Sequence, residues 1–257
     1  MKVTLVTHHP DPIRQIWSQA RICYSESTFA ECWEERYPGP EKALVLIRKV
    51  LSSGHWSVTR GVSFTFSVDG VSRACSHQMV RSTIGVSTEQ QSQRYLKIDV
   101  EGNDWYVLPP SIRGTPQEPM FREQMRAAAR TYQALLQAGV AAEDARFVLP
   151  NACRTNLVMT FSLEALRNFC GQRLCTRAQW EIRAVAKQMR HEVVARVGPF
   201  FGEIVTIKCI PTMTCSEEFG EDCGLLTHNG GRVEWLPARS REKSPSPVPA
   251  LSTRDPS

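Results

Sequence analysis

The chain has 257 residues, of which 42% are hydrophobic and 22% are charged, so it holds enough apolar material for a sizeable core and is not a disordered protein. Its formal net charge is +5, and residues 237–257 hold two more basic than acidic side chains, so the rest of the chain carries only +3. That charge is too small for a protein that binds duplex DNA through a basic face. We therefore expect no nucleic-acid polymer among its partners.

The N-terminus runs from a short apolar stretch into His8, His9, Pro10 and Asp11, too soon for a signal peptide, and no apolar run approaches the roughly 18 residues of a membrane helix. We expect a cytoplasmic protein without a membrane partner. The nine cysteines are an odd number and contain no C-x-x-C pair. This favours reduced thiols over a disulfide framework and predicts no bound metal.

Apolar periodicity predicts the secondary structure, with the clearest strand at residues 62–69, where apolar and polar side chains alternate. Thr176 and Gln179 have the spacing of a capping box for the last helix, and Gly54, Gly139 and Gly198 mark helix ends. Strands and helices without regular alternation predict an α+β fold. In chain order, the pattern predicts strand 3–6, helices 13–20 and 43–51, strands 62–69 and 106–108, helix 121–135, strand 156–161, helix 182–197 and strand 203–210.

The composition changes near Pro237. Residues 1–236 read as one large domain, whereas residues 237–257 are rich in Ser, Pro and Arg and are predicted to be a disordered tail. No internal repeat is present.

Several common catalytic motifs are absent from the sequence. It contains no G-x-G-x-x-G, no Walker A motif, no H-E-x-x-H and no G-x-S-x-G. A Rossmann dehydrogenase, a P-loop kinase and an α/β-hydrolase are therefore disfavoured.

Two arginine-containing regions could carry chemistry. Residues 73–81 and 90–95 combine arginines with hydroxyl and amide side chains, which could grip a phosphate and hydrogen-bond a polar ring. Arginines recur in residues 145–151 and 172–183. Taken alone, the first region is also compatible with a solvated surface, and the second with helix-face arginines that pair with acids such as Glu181. Nothing marks Cys75 or Cys175 as an activated thiolate.

Four blocks in the order 54–58, 71–81, 145–151 and 173–183 carry a resemblance that extends over about residues 2–202. They read G-H-W-S-V, V-S-R-A-C-S-H-Q-M-V-R, A-R-F-V-L-P-N and R-L-C-T-R-A-Q-W-E-I-R. Together they resemble the flavin-dependent thymidylate synthase family.

This resemblance implies an α+β fold with a mixed sheet packed by helices, in a homotetramer whose active sites are assembled from several subunits. It implies FAD as cofactor, stacked on the uracil of a UMP or dUMP substrate, with NADPH as reductant and methylene-tetrahydrofolate as the folate one-carbon donor. The implied activity is C5-methylation of uridine monophosphates, and it needs no cysteine nucleophile.

The resemblance also assigns site residues by position. Arg173 matches the arginine held against uracil N3 and O2, where a fixed guanidinium stabilises charge developing on the ring, and Ser92 matches a positioning serine near that ring. The nucleotide-binding candidates are Gln78, Arg81, Gln90, Gln91, Ser92, Gln93, Arg94, Arg146 and Arg173. The flavin candidates are His55, Ser57, Arg81, Ser82, Thr83, Gln90, Ser162 and Asn168.

The sequence departs from the family pattern mainly at positions that face the flavin. In the family signature, R-H-R is followed by seven residues and then by a serine. In this chain, residues 81–83 read R-S-T, and eight residues separate them from Ser92. The usual E-H pair is Arg60-Gly61, and the usual N-A-R ahead of Asn168 is residues 162–164, S-L-E. Either FAD binds through a rearranged shell in which Arg60 compensates for lost positive charge, or the chain is a non-catalytic nucleotide-binding paralogue.

The divergent signature also suggests a specialised enzyme similar to the UMP/dUMP C5-methylases of polyoxin-type antibiotic pathways. The inserted residue beside the nucleotide segment could give room and a hydrogen-bond partner to a ribose 2'-OH. A single-stranded nucleic-acid binder that uses the arginines is a weaker alternative, which would show a steep salt dependence.

Overall fold

The computed structural model describes residues 1–212 together with residues 215 and 223. Residues Met1–Thr212 form one compact unit. The predicted tail, residues 237–257, lies outside the described residues, as do nearly all residues of the predicted domain beyond 212.

The described residues contain four strands and ten α-helices, with short 3₁₀ helices at Trp56–Thr59 and Arg146–Val148. The strands are β1 (Lys2–His8), β2 (Ser63–Ser72), β3 (Val86–Gln90) and β4 (Arg154–Ser162). The helices are α1 (Pro12–Ile22), α2 (Phe29–Glu34), α3 (Pro40–Ser52), α4 (Arg73–Met79), α5 (Glu118–Gln137), α6 (Ala142–Ala145), α7 (Leu163–Arg173), α8 (Trp180–Val197), α9 (Pro199–Ile204) and α10 (Cys209–Thr212). The α+β class is confirmed.

The strands form one sheet in the order β1-β2-β4-β3. Each neighbouring pair is antiparallel, and Phe66 of β2 lies opposite both Leu5 of β1 and Met159 of β4. The expectation of a mixed sheet is therefore wrong for the described residues. β2 and β3 run in the same direction, but β4 lies between them, so no two neighbours form the parallel pair that a crossover connection would create.

The core lies on one face of this sheet. The alternating side chains Phe64, Phe66 and Val68 are fully buried, which confirms the period-2 prediction for residues 62–69. Val185 and Met189 of α8 belong to the same cluster. A second cluster packs α5 against the segment around residues 98–108, with Tyr132 fully buried.

The four helices predicted from apolar spacing are confirmed as α1, α3, α5 and α8. Gly54 and Gly139 follow α3 and α5 with φ of 84° and 83°, the left-handed backbone that glycine adopts without a Cβ penalty. The predicted capping box at Thr176 is wrong, because α8 begins later. Its cap is Gln179, whose side chain accepts hydrogen bonds from the N–H groups of Glu181 and Ile182.

Two weak strand predictions fail. Residues 106–108 contribute only an isolated bridge between Tyr106 and Cys153. Residues 203–210 fall on the end of α9 and the start of α10, and Ile204 and Ile207 are buried there without a strand partner. Short apolar runs do not by themselves distinguish a strand from a buried helix.

The sequence patterns missed the helices that directly continue the two central strands. β2 ends at Ser72, whose side chain accepts a hydrogen bond from the Cys75 N–H and caps α4. β4 ends at Ser162, whose side chain accepts from the Ala165 N–H and caps α7. Both junctions are a strand, a capping serine and a helix with no intervening loop. No helix in the described residues is long and apolar enough to cross a membrane.

We predict that Gly85→Ala destabilises the fold more than Gly114→Ala does. Both glycines have positive φ, 70° and 74°, so both substitutions incur backbone strain of about 1 kcal/mol. A Cβ on Gly85 would also lie 2.7 Å from the Ser162 Oγ, whereas nothing lies within 4 Å of one on Gly114. We expect a further loss of about 1–3 kcal/mol for Gly85→Ala in urea unfolding. Equal losses would contradict this close approach.

Candidate active site

One face of α4 lines a cleft of about 390 Å³. Arg73, Ser76, His77 and Val80 occupy positions i, i+3, i+4 and i+7, which share one face of a helix. The opposite walls come from the end of β3 and from the segment before β4. The remaining lining residues are Gln90, Gln93, Leu149, Pro150 and Asn151.

Main-chain hydrogen bonds fix the start of α4 against the wall opposite. The N–H of Arg73 donates to the Cys153 carbonyl at 2.9 Å, and the N–H of Ala74 donates to the Asn151 carbonyl at 3.0 Å. These amides belong to the first turn of the helix, where no partner exists within the helix itself. The blocks 71–81 and 145–151 are therefore joined through the backbone.

Arg73 places a positive charge in the cleft, and only part of its guanidinium is hydrogen-bonded. One terminal nitrogen donates to the Gln91 carbonyl at 2.8 Å, but the buried Nε has no hydrogen-bond partner. Burial lowers the pKa of the Arg73 guanidinium, and the positive charge of nearby Arg146 acts in the same direction. A desolvated cation with a free donor fits an anionic ligand, which would supply both a hydrogen bond and a counter-charge.

Two predicted nucleotide residues, Gln90 and Gln93, do line the cleft. The Gln90 side-chain amide donates to the Ser76 Oγ at 2.9 Å and lies 3.2 Å from the Thr155 Oγ1, so its orientation is fixed. The Gln93 amide lies 3.4 Å from the Cys153 sulfur. These contacts present fixed polar groups rather than mobile ones to a ligand.

Four more candidates adjoin the cleft without lining it. Arg94 forms an ion pair with the Glu143 carboxylate at 3.0 Å, and the Nε of Arg146 donates to the Glu143 carbonyl at 2.9 Å. Gln91 donates its N–H to the Asn156 carbonyl, and the Ser92 Oγ accepts from the Arg94 N–H. Helix α6, which carries Glu143, thus ties the segment after β3 to Arg146.

The structure does not bring three other candidates to the cleft lining. The Gln78 amide donates to the Ala74 carbonyl of its own helix, and Arg81 is exposed after the end of α4. Arg173 is the last residue of α7, and its buried Nε has no hydrogen-bond partner. Its charge lowers the pKa of Cys75, which faces the core side of α4.

Cys75 is unsuited to act as a nucleophile. Burial, with a smaller contribution from the negative charge of Glu181, raises the pKa of its thiol to about 12 despite the opposing effect of Arg173. A thiol with that pKa carries almost no thiolate at neutral pH. This agrees with the expectation that Cys75 is not an activated thiolate.

Six of the eight flavin candidates lie on α7 or on segments near it, whereas Gln90 lies in the cleft and Arg81 is exposed after the end of α4. The N–H of Ser162 donates to the Gly85 carbonyl at 2.9 Å and so holds the turn that carries Ser82 and Thr83. Further along α7, the Arg167 guanidinium lies 3.8 Å from the centre of the Trp56 ring, which stands between His55 and Ser57. Asn168 accepts a hydrogen bond from Arg167 at 3.3 Å.

The two altered positions Arg60 and Glu164 form an ion pair with each other. Glu164 therefore partly neutralises Arg60, and compensation by Arg60 for lost positive charge stays a prediction. The Glu164 charge also raises the pKa of Arg167, although burial has the larger effect and lowers it. Arg60, Arg167 and Glu164 together carry a net positive charge near the start of α7.

Sequence reasoning missed Arg73, Ser76 and His77 as lining residues, although they lie in a quoted block. Reading residues 73–80 as a helix rather than a loop places all three on one face, so the signal was their spacing. No group of three or more histidine, cysteine or acidic side chains able to hold a metal occurs in the described residues.

We predict that Glu164→Arg lowers the melting temperature, because it places a third positive charge beside Arg60 and Arg167. The double variant Arg60→Glu, Glu164→Arg restores the pair with reversed polarity and should recover most of the loss. Thermal unfolding of both variants measures this coupling. A double variant no more stable than Glu164→Arg would show that the pair contributes nothing to stability.

The profile of the Thy1 family, described as thymidylate synthase complementing protein, matches residues 4–199. A flavin-dependent thymidylate synthase of Geobacter sulfurreducens is 41% identical over 225 residues, which cover 87% of this chain and 94% of that protein. One of Pyrococcus abyssi is 38% identical, covering 76% of this chain and 80% of that protein.

Two solved structures share the fold. The UMP/dUMP methylase PolB of Streptomyces cacaoi, bound with 5-Br dUMP, has a TM-score of 0.65 at 24% identity and covers 79% of this chain and 93% of its own. The Helicobacter pylori ThyX, complexed with FAD and dUMP, has a TM-score of 0.63 at 17% identity, covering 80% and 100%. The resemblance of the four motif blocks is confirmed, and the chain belongs to the family of methyltransferases known as flavin-dependent thymidylate synthases.

Proposed function

We propose that this enzyme methylates C5 of a uridine monophosphate, UMP or dUMP, with methylene-tetrahydrofolate as one-carbon donor and NADPH as reductant. For dUMP, the balanced reaction consumes dUMP, methylene-tetrahydrofolate, NADPH and one proton and forms dTMP, tetrahydrofolate and NADP⁺. The observation that carries the proposal is the cleft along α4, where two of the motif blocks, 71–81 and 145–151, meet around the partly unsatisfied guanidinium of Arg73.

The cleft has the two kinds of groups that a nucleotide monophosphate requires. Arg73, with Arg146 nearby, supplies positive charge for the phosphate, and guanidinium groups bind phosphate oxygens through paired hydrogen bonds. The amides of Gln90, Gln93 and Asn151 supply donors and acceptors for the ribose and the uracil edge. His77 adds a further polar group at the cleft wall.

Catalysis requires stabilisation of negative charge on the uracil ring, and we assign this role to Arg173. Its buried Nε has no partner in the described residues, so a donor is already desolvated. Because Arg173 does not line the cleft of its own chain, we propose a homotetramer in which another subunit supplies it. Ser92 positions the ring, and its Oγ is held by the Arg94 N–H.

The surroundings of α7 fit FAD. The net positive charge of Arg60, Arg167 and Glu164 lies near the N-terminus of an 11-residue helix, a position that favours a diphosphate. Hydroxyl and amide groups of Ser57, Ser82, Thr83 and Asn168 would contact the remaining polar atoms. When bound, FAD supplies the reducing equivalents that convert the transferred carbon into a methyl group.

We propose that the segment containing the inserted residue determines whether the enzyme accepts UMP as well as dUMP. β3 pairs with β4 in unbroken register from Val86 to Gln90, so the extra residue is not a bulge within that ladder. It falls either in the turn before Val86 or at Gln91, whose carbonyl holds Arg73. The first position lies beside the flavin candidates, and only the second could accommodate a ribose 2'-OH. A role in antibiotic biosynthesis depends on acceptance of UMP.

We expect mass spectrometry to detect a methyl group on the nucleotide after incubation of the protein with methylene-tetrahydrofolate, NADPH, FAD and equal UMP and dUMP. Methylation of dUMP alone identifies a thymidylate synthase, and methylation of UMP supports the specialised enzyme. Nucleotide binding with no methylation, no bound flavin and no NADPH oxidation would contradict the proposal and favour a non-catalytic paralogue.

We predict that Arg173→Ala lowers kcat by about 10²–10³, as expected when one preorganised charge-stabilising donor is removed. The matched control is Arg130→Ala, which removes an exposed arginine that pairs with Glu123 on α5. Steady-state kinetics should show the control unchanged. Equal kcat for Arg173→Ala and the wild type would refute the assigned role.

A further inference from the structure

Among the residues that the structure describes, Glu181 is the only charged side chain that is buried, with 2% of its surface exposed. It lies in the first turn of α8, where the helix dipole favours a negative charge. A buried carboxylate is costly unless several donors satisfy it, so its retention needs a reason. The proposed reaction does not use it directly.

The Glu181 carboxylate binds one residue twice. One oxygen accepts from the Ser72 N–H at 2.7 Å, and the other accepts from the Ser72 hydroxyl at 2.5 Å. The Ser72 Oγ in turn accepts from the Cys75 N–H at 3.0 Å as the cap of α4. Both the backbone and the side chain of the residue between β2 and α4 are therefore fixed by α8.

The next residue along the chain is Arg73, the cleft cation. The Arg73 N–H, which directly follows Ser72 in the chain, donates a hydrogen bond to the Cys153 carbonyl. A shift of Ser72 therefore changes the direction of α4 and of the Arg73 side chain. One turn later, the Ser76 hydroxyl oxygen accepts a hydrogen bond from the Gln90 side-chain amide. The orientation of the α4 wall, and of the Gln90 amide that contacts it, therefore depends on where Glu181 holds Ser72.

We propose that Glu181 is a positioning residue, which holds the start of α4 so that Arg73 and Ser76 face the nucleotide. The nucleotide part of this proposal rests on the proposed function. The positioning itself concerns only the chain's own residues, and it can be measured without any ligand.

Glu192→Gln is a matched control for Glu181→Gln. Glu192 lies on the same helix and also accepts a hydrogen bond from a backbone N–H, that of Leu5 at 3.1 Å, but it holds β1 instead of α4. Both substitutions keep the side-chain size and weaken a contact between α8 and a strand. A general loss of α8 packing would speed exchange across the sheet in both variants, whereas positioning of α4 predicts faster exchange in peptide 72–80 for Glu181→Gln alone.

The test measures the Kd for dUMP and for UMP by calorimetry, and hydrogen exchange of the peptide 72–80 without ligand. Glu181→Gln should speed exchange in that peptide and raise Kd on the order of tenfold, because hydrogen bonds to a charged group are lost. Glu192→Gln should change neither. In an Arg73→Ala background, Glu181→Gln should change Kd much less, because the group that it positions is gone.

Ser72→Ala, which removes the hydroxyl but keeps the N–H, provides a milder variant if Glu181→Gln does not fold, and it should shift both readouts in the same direction. Unchanged exchange and unchanged Kd in the folded variant would overturn the proposal, as would an equal loss in the Arg73→Ala background. A wild type that binds neither nucleotide would contradict the proposed function alone, and exchange of peptide 72–80 would still decide the role of Glu181.

Discussion

The cleft depends on how the two central strands turn into helices without a loop. Ser72 and Ser162 each end a strand and cap the helix that follows, so the direction of α4 and α7 is fixed by the sheet itself. The sheet has a fully buried face, and its register is therefore set by the core. Side chains at the starts of these helices are therefore held in fixed positions, which a flexible loop could not provide.

The electrostatics of the cleft follow from this rigidity. Arg73 is held on a helix face with its Nε buried and unpartnered, and Arg146 adds a second positive charge that lowers the pKa of Arg73 further. Such an arrangement is unfavourable without a ligand, because two like charges are close and one donor is desolvated. An anion would supply both a hydrogen bond and a counter-charge, which fits the nucleotide phosphate that we propose for the cleft.

Periodicity predicted the long helices and the central strand, because their apolar side chains face a single core. It failed for α4 and α7, which begin at capping serines directly after a strand, and for residues 203–210, which are divided between the end of α9, a connection and the start of α10. The motif blocks could be recognised in the sequence from their residue types alone. Only the helical spacing of residues 73–80 reveals which side chains line the cleft, and the pairing of Arg60 with Glu164 required the contact itself.

Helix α4 also gives a physical reason to propose that each active site uses more than one copy of the chain. Its cleft face carries Arg73 and His77, whereas Cys75 and Met79 face the core. Arg173, the last residue of α7, does not line this cleft. We therefore propose that the Arg173 that stabilises the uracil comes from a neighbouring copy, so that catalysis depends on assembly.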